Sequence, residues 1–443
     1  MDITIIKNNK VKVILSYAIP SIISMLLTTL ITITDGFFTG NIVGEEALAA
    51  INLGLPILYL FLGLGLCLGV GGSVVAGQLL GAENEKRASE VFTQTIVCTL
   101  IICTITSIVV FALFSPILNI LRAEGNLAVY FTKYYQIMLF AYPFMVLSTT
   151  LGIFIRLNGK PQFCMFVSIL NALLNCILDY ILMVKFNMGV TGSAYASLFV
   201  QILSCILELL YFFKSRAGLK IKTYKYDKML TKQMLFNGSS EFIGEMASAI
   251  SMFSFNYVLM RYVGKEGVAA FTTLGFAVYC FSMIAIGFGQ GMCPLISIIQ
   301  GAKDFSLSID IRKITNKIVT CVGLIFAISF IFLGRDYASL FGLSITTSNM
   351  VIEGFYFMSI SFLLMGYNVI SSMYFTSCGD AKSSAIISSL RGIVLLLLFT
   401  YLFPYFWGLR GIWAAAPMTE LLTAIVTTYL ILKHRRGGFD GRE

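Results

Sequence analysis

The chain has 443 residues, of which 58% are hydrophobic and only 12% are charged, and its mean hydropathy is +0.87. Soluble globular proteins carry about 25% charged residues, so this composition excludes a soluble enzyme or binding domain. The formal net charge of +9 would suit nucleic acid only if the basic residues were clustered. Most of the 31 Lys and Arg lie instead in short segments between apolar runs, so we predict no nucleic-acid partner.

Apolar runs of about 20 residues, each able to cross a ~30 Å bilayer core, recur along the whole sequence. They predict an all-α polytopic membrane protein with 12 transmembrane helices. Its partner is a lipid bilayer, and we expect a monomer without a cleavable signal peptide. The twelve spans are placed near 13–38, 46–77, 90–116, 128–153, 162–185, 189–213, 233–260, 267–298, 316–334, 350–376, 383–406 and 410–432.

The distribution of basic residues predicts the orientation of the chain. Most Lys and Arg fall in the two tails and in the loops on the same side, and the positive-inside rule assigns that side to the cytoplasm. We therefore expect a multi-pass protein in the plasma (inner) membrane of a prokaryote, with both termini cytoplasmic. The +9 charge is read as a topology signal.

An internal repeat divides the sequence into two halves. The segment 43–50 is echoed 220 residues later by 263–270, and the same offset relates 81–84 to 301–304. An even number of spans per half gives the repeats parallel topology, so a pseudo-twofold axis along the membrane normal and a central cavity are expected. The predicted domains are an N-terminal six-helix lobe (1–213), a basic cytoplasmic linker (214–232) and a C-terminal six-helix lobe (233–443).

Polar residues of the first half gather in three spans. Asp179 lies in an apolar run with no basic residue within five positions, and Asn175 lies one helical turn earlier on the same face. A carboxylate inside a membrane costs about 2.5–3.5 kcal/mol on insertion scales, which makes such acids functional candidates. Asp35 and Ser197 are predicted at similar depth, and Pro20 should bend the first helix. The alternatives are a structural hydrogen bond for Asp179, a snorkelling acid for Asp35 and a packing contact for Ser197.

The second half has a different polar set. Glu241 and Glu245 share one face of the seventh span, while Arg391 and Glu420 lie in the last two spans. Similar predicted depth suggests a Glu241–Arg391 ion pair, with Glu245 or Glu420 left in the cavity; the alternative is a wholly structural network. Aromatic residues such as Tyr367 could hold an organic cation over their ring faces. These five residues are the predicted substrate cavity.

Cysteine and histidine contents argue against catalysis at a metal or imidazole centre. The 10 cysteines occur without CxxC spacing, and the single histidine, His434, lies in a basic tail. We therefore expect no disulfide, no structural metal, no cofactor and no catalytic residue, hence no enzyme.

Taken together, these motifs resemble the multidrug and toxic-compound extrusion (MATE) family, in its multidrug-efflux branch. The resemblance covers Pro20 to Glu420. The residues that carry it are Pro20, Asp35, Arg156-Leu157-Asn158-Gly159, Asn175, Asp179, Gly189, Gly192, Ser197, Ser240-Glu241-Phe242, Gly291 to Pro294, Gly301-Ala302 and Gly411-Ile412-Trp413.

The resemblance implies a secondary active antiporter that exports organic, mostly cationic compounds against inward H⁺ or Na⁺. It implies a coupling cation on Asp35, Asn175, Asp179 and Ser197, where the family has threonine at the last position, and a helix hinge at Pro20. Na⁺ could be held at Asp35, Asn175 and Asp179. The main alternative is a lipid-linked precursor or polysaccharide flippase of the same superfamily. A channel or a membrane enzyme is disfavoured because pore rings and clustered nucleophiles are missing from the sequence.

Overall fold

The computed structural model describes residues 3–121, 123–214 and 218–440, with side chains described as far as His434. These residues form helices and no strand, and eleven helical runs are long and apolar enough to cross a membrane. The last run is broken at Gly408, which has φ 55° and ψ −132°, and so it contains two spans. The predicted all-α fold with twelve transmembrane helices is confirmed.

We number the spanning helices α1 to α12, with α11 and α12 separated at Gly408. Their bounds are α1 Lys10–Phe38, α2 Leu55–Gly81, α3 Glu85–Ala112, α4 Gly125–Leu157, α5 Pro161–Asp179, α6 Val190–Lys214, α7 Lys228–Tyr262, α8 Lys265–Gly301, α9 Phe305–Ser339, α10 Ile345–Cys378, α11 381–408 and α12 409–440. A short helix at Ile3–Asn8 precedes α1, and short helices at Glu45–Leu53 and Phe114–Ile120 connect spanning helices.

The second predicted span, 46–77, was wrong as a single helix. The chain breaks at Gly54, where the ring of Tyr135 occupies the space that a Cβ atom would need. The Tyr135 hydroxyl donates to the carbonyl of Ile51 at 2.6 Å and so satisfies a group freed by the break. Several other helices begin earlier than predicted, as α9 does at Phe305.

For reference we call α1–α6 the N-lobe and α7–α12 the C-lobe. Residues 215–217 of the predicted linker lie outside the described residues, and α7 begins at Lys228 within its predicted range. The first half of α1, including Ile14 and Ala18, belongs to the apolar cluster of the C-lobe. Conversely Leu230 and Met234 of α7 belong to a cluster of the N-lobe. Each lobe therefore begins with a helix that is partly buried in the other.

Glycines allow α1 and α7 to approach helices of the opposite lobe so closely that the backbones are in contact. A Cβ atom added at Gly71 of α2 would meet the carbonyl of Met234 in α7, and one at Gly291 of α8 would meet Ala18 in α1. Gly71 and Gly291 are 220 residues apart, so the two contacts are related by the repeat. Gly81 and Gly301 pair α2 with α8 in the same way. The lobes are thus closed against each other on the face that carries the chain termini, which we call the terminus face.

Ion pairs tie the lobes together on the same face. Lys7 lies 2.8 Å from Asp304, and Arg87 lies 2.7 Å from Asp227. The Lys7 hydrogen bond lowers the pKa of Asp304, and the backbone N–H of Leu230 lowers the pKa of Asp227. A depressed carboxyl pKa gives stabilisation at neutral pH that is lost only as pH falls through the lowered value. These pairs are partly exposed, so salt weakens them.

We predict that Gly238→Ala destabilises the protein while Gly244→Ala on the same helix does not. An added Cβ at Gly238 meets the carbonyl of Cys67, whereas none of the described atoms lies within 4 Å of one at Gly244. Overpacking should cost Gly238→Ala about 2 kcal/mol, while Gly244→Ala should gain up to about 1 kcal/mol in helix propensity. Thermal unfolding in detergent measures both, and equal shifts would contradict the close contact.

Candidate functional site

Pro20 interrupts the backbone hydrogen bonding of α1 at its contact with α8. Because proline lacks an N–H, the carbonyl of Ser16 loses its partner within the helix. The side-chain amide of Gln162 from α5 lies 3.5 Å from that carbonyl. On the other side, Gly287 and Gly291 of α8 leave room for the α1 backbone at Ile22 and Ala18. The predicted hinge is therefore flanked by both lobes.

Further along α1, Asp35 meets the polar face of α5. Its side chain interacts with those of Asp179, Asn175 and Ser197, because α1 packs against α5 and α5 packs against α6. Asp179 and Asn175 are 0% and 1% exposed. The structure thus brings all four residues of the predicted coupling site together.

The polar atoms of this cluster are poorly satisfied. Both carboxylate oxygens of Asp179, both amide atoms of Asn175 and Oδ1 of Asp35 are buried without a hydrogen bond of standard geometry in the described part of the chain. Buried polar groups without partners are rare and costly. A shared proton or a cation among these oxygens would remove both the unmet acceptors and the repulsion between two carboxylates.

Irregular backbone accompanies the cluster. π-helical turns follow Asp35 at Thr39–Val43 and Asp179 at Tyr180–Lys185, and such turns are frequent at functional sites. Tyr134 of α4, which the sequence reasoning missed, is buried and interacts electrostatically with both acids. Nothing distinguished it in sequence from the other 20 of the chain's 21 tyrosines.

In the C-lobe, Glu241 belongs to a hydroxyl network. Thr376 of α10 donates to its carboxylate at 3.4 Å and also contacts Ser240 at 3.1 Å and Ser384 at 2.6 Å. Glu245 lies one turn along α7 and is close enough to Glu241 to interact electrostatically. The hydroxyl of Tyr367 contacts that of Thr428 at 3.0 Å, within the C-lobe.

The expected Glu241–Arg391 ion pair is wrong. Arg391 donates from Nε to Glu420 at 2.6 Å, and Asn368 donates to the other oxygen of Glu420 at 2.7 Å. Arg391 lies in a π-helical turn, Leu390–Val394, and its side chain reaches Glu420 of α12. Similar depth along two helices was therefore insufficient to identify the partner, and Glu420 is not left free in the cavity.

A small cavity of about 20 Å³ lies between the lobes. Its lining includes Ser73 and Arg156 from the N-lobe and Glu241, Gln290 and Cys293 from the C-lobe. Arg156 is buried, although the sequence analysis had placed it beyond the end of its span. Among the described residues, no group of three or more His, Cys, Asp or Glu could hold a metal ion.

A sequence model of the MatE family matches residues 20–181 and 242–402. The multidrug export protein MepA of Staphylococcus aureus (strain MRSA252) is 24% identical over 430 residues, which cover 95% of this chain and 93% of that protein. MepA of Staphylococcus saprophyticus is 23% identical, covering 96% and 94%.

A solved structure with a similar fold is described as the outward-facing conformation of a multidrug resistance MATE family transporter. It has a TM-score of 0.90 and 22% identity, and covers 96% of this chain and 95% of that one. A second is a MOP superfamily transporter from Pyrococcus furiosus, described as having a binding pocket of reverse polarity that suggests a different function. Its TM-score is 0.91 at 22% identity, covering 97% and 96%. At these identities the likeness shows the fold.

We predict energetic coupling between Arg391 and Glu420 and none between Arg391 and Glu241. Replacing either partner of the partly buried pair by Gln leaves the other unpaired and should cost about 2 kcal/mol, and the double variant should lose clearly less than the sum. The free energy of unfolding in mixed detergent micelles is measured for each single variant and for the double variant.

The matched control is the exposed pair Arg410–Glu353, whose side chains are 75% and 32% exposed. Its Gln variants should each stay within about 0.5 kcal/mol of wild type. Additive losses for Arg391→Gln with Glu420→Gln would contradict the pairing.

Proposed function

This chain belongs to the MATE family of membrane transporters, and from that premise we propose that it is a secondary active multidrug exporter. Its cargo would be small organic, mostly cationic compounds, exchanged for H⁺ or Na⁺. Members of the family are transporters and not enzymes. The MepA relatives, described as multidrug export proteins, support export of several compounds.

The observation that carries the proposal is the unsatisfied cluster of Asp35, Asn175, Asp179 and Ser197. Two facing carboxylates in a low-dielectric setting bind H⁺ or a small cation readily, because occupancy relieves their repulsion. Hard oxygen ligands suit Na⁺ as well as a proton. No cofactor is needed for this exchange.

The charge of the inter-lobe region supports a cationic substrate. Glu241 and Glu245 face it from α7, and Glu241 lines the cavity. Arg391 is neutralised by Glu420, which leaves Arg156 as the basic residue that lines the cavity. We keep Glu241, Glu245, Arg391, Glu420 and Tyr367 as the proposed substrate region, with Arg391 and Glu420 acting as one neutral unit.

The mechanism follows from two arrangements of the lobes. The conformation described here is closed at the terminus face by glycine contacts. A ligand shifts such an equilibrium only through different affinities for the two states. A cation bound at Asp35 and Asp179 and a substrate held near Glu241 would favour different arrangements of the lobes. Binding of one therefore shifts the protein to the arrangement from which the other is released. We also propose that the protein acts as a monomer, with both termini cytoplasmic, in a prokaryotic plasma membrane.

A flippase for a lipid-linked precursor remains the second proposal. It would need a basic chamber for a pyrophosphate, and Arg156 is the residue that favours it. The Pyrococcus furiosus protein, described as having a pocket of reverse polarity, illustrates that this fold accommodates such a difference. The acids near the cavity of this chain argue for cations.

We predict that everted vesicles take up ethidium when a pH or sodium gradient is imposed, and that Asp35→Asn abolishes this uptake. The substitution removes one of two charges that hold the coupling cation, and Asp179→Asn should act in the same way. The matched control is Asp336→Asn, which changes an exposed acid of α9 and should leave uptake within about twofold of wild type.

Each outcome decides between the proposals. Uptake with only one of the two gradients identifies the coupling ion. Uptake that survives Asp35→Asn would move coupling to Glu241 or Glu245. Wild-type vesicles that transport neither ethidium nor other organic cations would exclude the exporter and favour the flippase.

A further inference from the structure

Polar residues form two facing stripes that run from the coupling cluster toward the terminus face. On α5 they are Asn171, Asn175 and Asp179, spaced four residues apart and therefore on one side of the helix. On α6 they are Ser197, Ser204 and Glu208, spaced seven and four residues apart, which also places them on one side. Eleven residues at ~1.5 Å per residue put Glu208 about 16 Å beyond Ser197 along α6.

One hydrogen bond connects the two stripes, and a second joins Glu208 to α4. The Ser204 hydroxyl donates to Oδ1 of Asn171 at 2.7 Å. The Ser148 hydroxyl of α4 donates to Oε2 of Glu208 at 2.7 Å. Ser204 and Glu208 are 0% and 5% exposed, so these groups face the interior of the lobe and not the lipid.

Glu208 is held by packing as well as by Ser148. A Cβ atom at Gly152 would lie 3.4 Å from Oε1 of Glu208, so the helix surface opposite is bare backbone. The groups that face the carboxylate are Arg156 from α4, Cys164 from α5 and Cys205 on its own helix.

Arg156 connects Glu208 with the space between the lobes. It interacts with Glu208 electrostatically, yet its Nε is buried without a hydrogen-bond partner in the described residues. It also lines the inter-lobe cavity with Glu241. The charge of Arg156 therefore offsets that of Glu208, whose carboxylate accepts its hydrogen bond from Ser148.

We propose that Glu208 is a second proton-binding carboxylate of the N-lobe, and that it relays protons between the Asp35–Asp179 cluster and the terminus face. The sequence reasoning missed this residue because it lies only six positions before the end of α6. The inference rests on the proposed function, since it needs an exchange driven by protons. It adds a site that the coupling cluster does not include.

The transfer is a simple proton movement. A proton that leaves the carboxyl group of Asp35 or Asp179 is carried along the polar stripes by water and binds to a carboxylate oxygen of Glu208. Glu208 then releases it to water at the terminus face and becomes negatively charged again, opposite Arg156. No group is oxidised or reduced.

The test compares two assays on the protein reconstituted in liposomes. The first is ethidium uptake driven by a pH gradient. The second is counterflow, in which unlabelled ethidium inside exchanges for labelled ethidium outside without a gradient and without net proton movement. Glu208→Gln should lower gradient-driven uptake about tenfold or more, as expected for loss of a proton-transfer group, while counterflow stays within about twofold. Glu208→Asp, which keeps a carboxylate, should restore most of the gradient-driven rate.

Two further variants serve as a second test of the relay and as a control. Ser148→Ala removes the hydroxyl that contacts Glu208 and should slow gradient-driven uptake without slowing counterflow, even if Glu208→Gln fails to fold. Glu353→Gln, the same exchange in an exposed ion pair, should change neither assay.

Equal loss of both activities in Glu208→Gln and Ser148→Ala would show a structural role and overturn the relay, as would no loss in either. Wild-type transport driven by sodium alone would also overturn it while leaving antiport intact. Absence of any gradient-driven uptake in wild type would instead refute the proposed function itself.

Discussion

The close contact of backbones between the lobes is the constraint on which the rest of the structure depends. Gly71 against Met234 and Gly291 against Ala18 bring α2 to α7 and α1 to α8 without intervening side chains. Helices in a membrane gain little from burying apolar surface against each other, so packing of small residues has to supply much of their association. Because these contacts lie near the terminus face, they determine on which side the lobes are held together.

The buried carboxylates of the two lobes differ in whether they have hydrogen-bond partners. In the C-lobe, Glu420 is satisfied by Arg391 and Asn368, which makes it a neutral structural unit. In the N-lobe, Asp179 and Asn175 keep buried atoms without standard hydrogen bonds. Unmet polar groups in a low-dielectric interior are expensive. They persist where a ligand completes them, so this asymmetry favours the N-lobe as the place where a cation binds.

Much of the architecture could be predicted because it follows from periodicity. Apolar run lengths gave the twelve spans, the 220-residue offset paired Gly81 with Gly301, and the i, i+4 spacing put Asn175 beside Asp179. Contacts that depend on which helices are neighbours, and on how each helix is rotated about its axis, could not be predicted from the sequence. Equal depth suggested Glu241 for Arg391, but the side chain of Arg391 leaves its π-helical turn toward Glu420 of α12. Glu208 was overlooked, and Arg156 was noted only as part of a motif, because residues near span ends are expected to reach water, whereas here both are buried.

Helix α1 is the physical element that joins the proposed coupling cluster to the contact between lobes. Its first half lies in the apolar cluster of the C-lobe, and its second half carries Asp35 to Asp179 in the N-lobe. Pro20 stands between these halves and removes one hydrogen bond from the helix, which lowers the cost of changing the angle there. Coupling between sites requires an element with two arrangements that both sites bias. A helix anchored in both lobes and weakened at their junction meets that requirement: a change in charge at Asp35 acts on the segment after Pro20, which lies against Gly287 of α8 at Ile22.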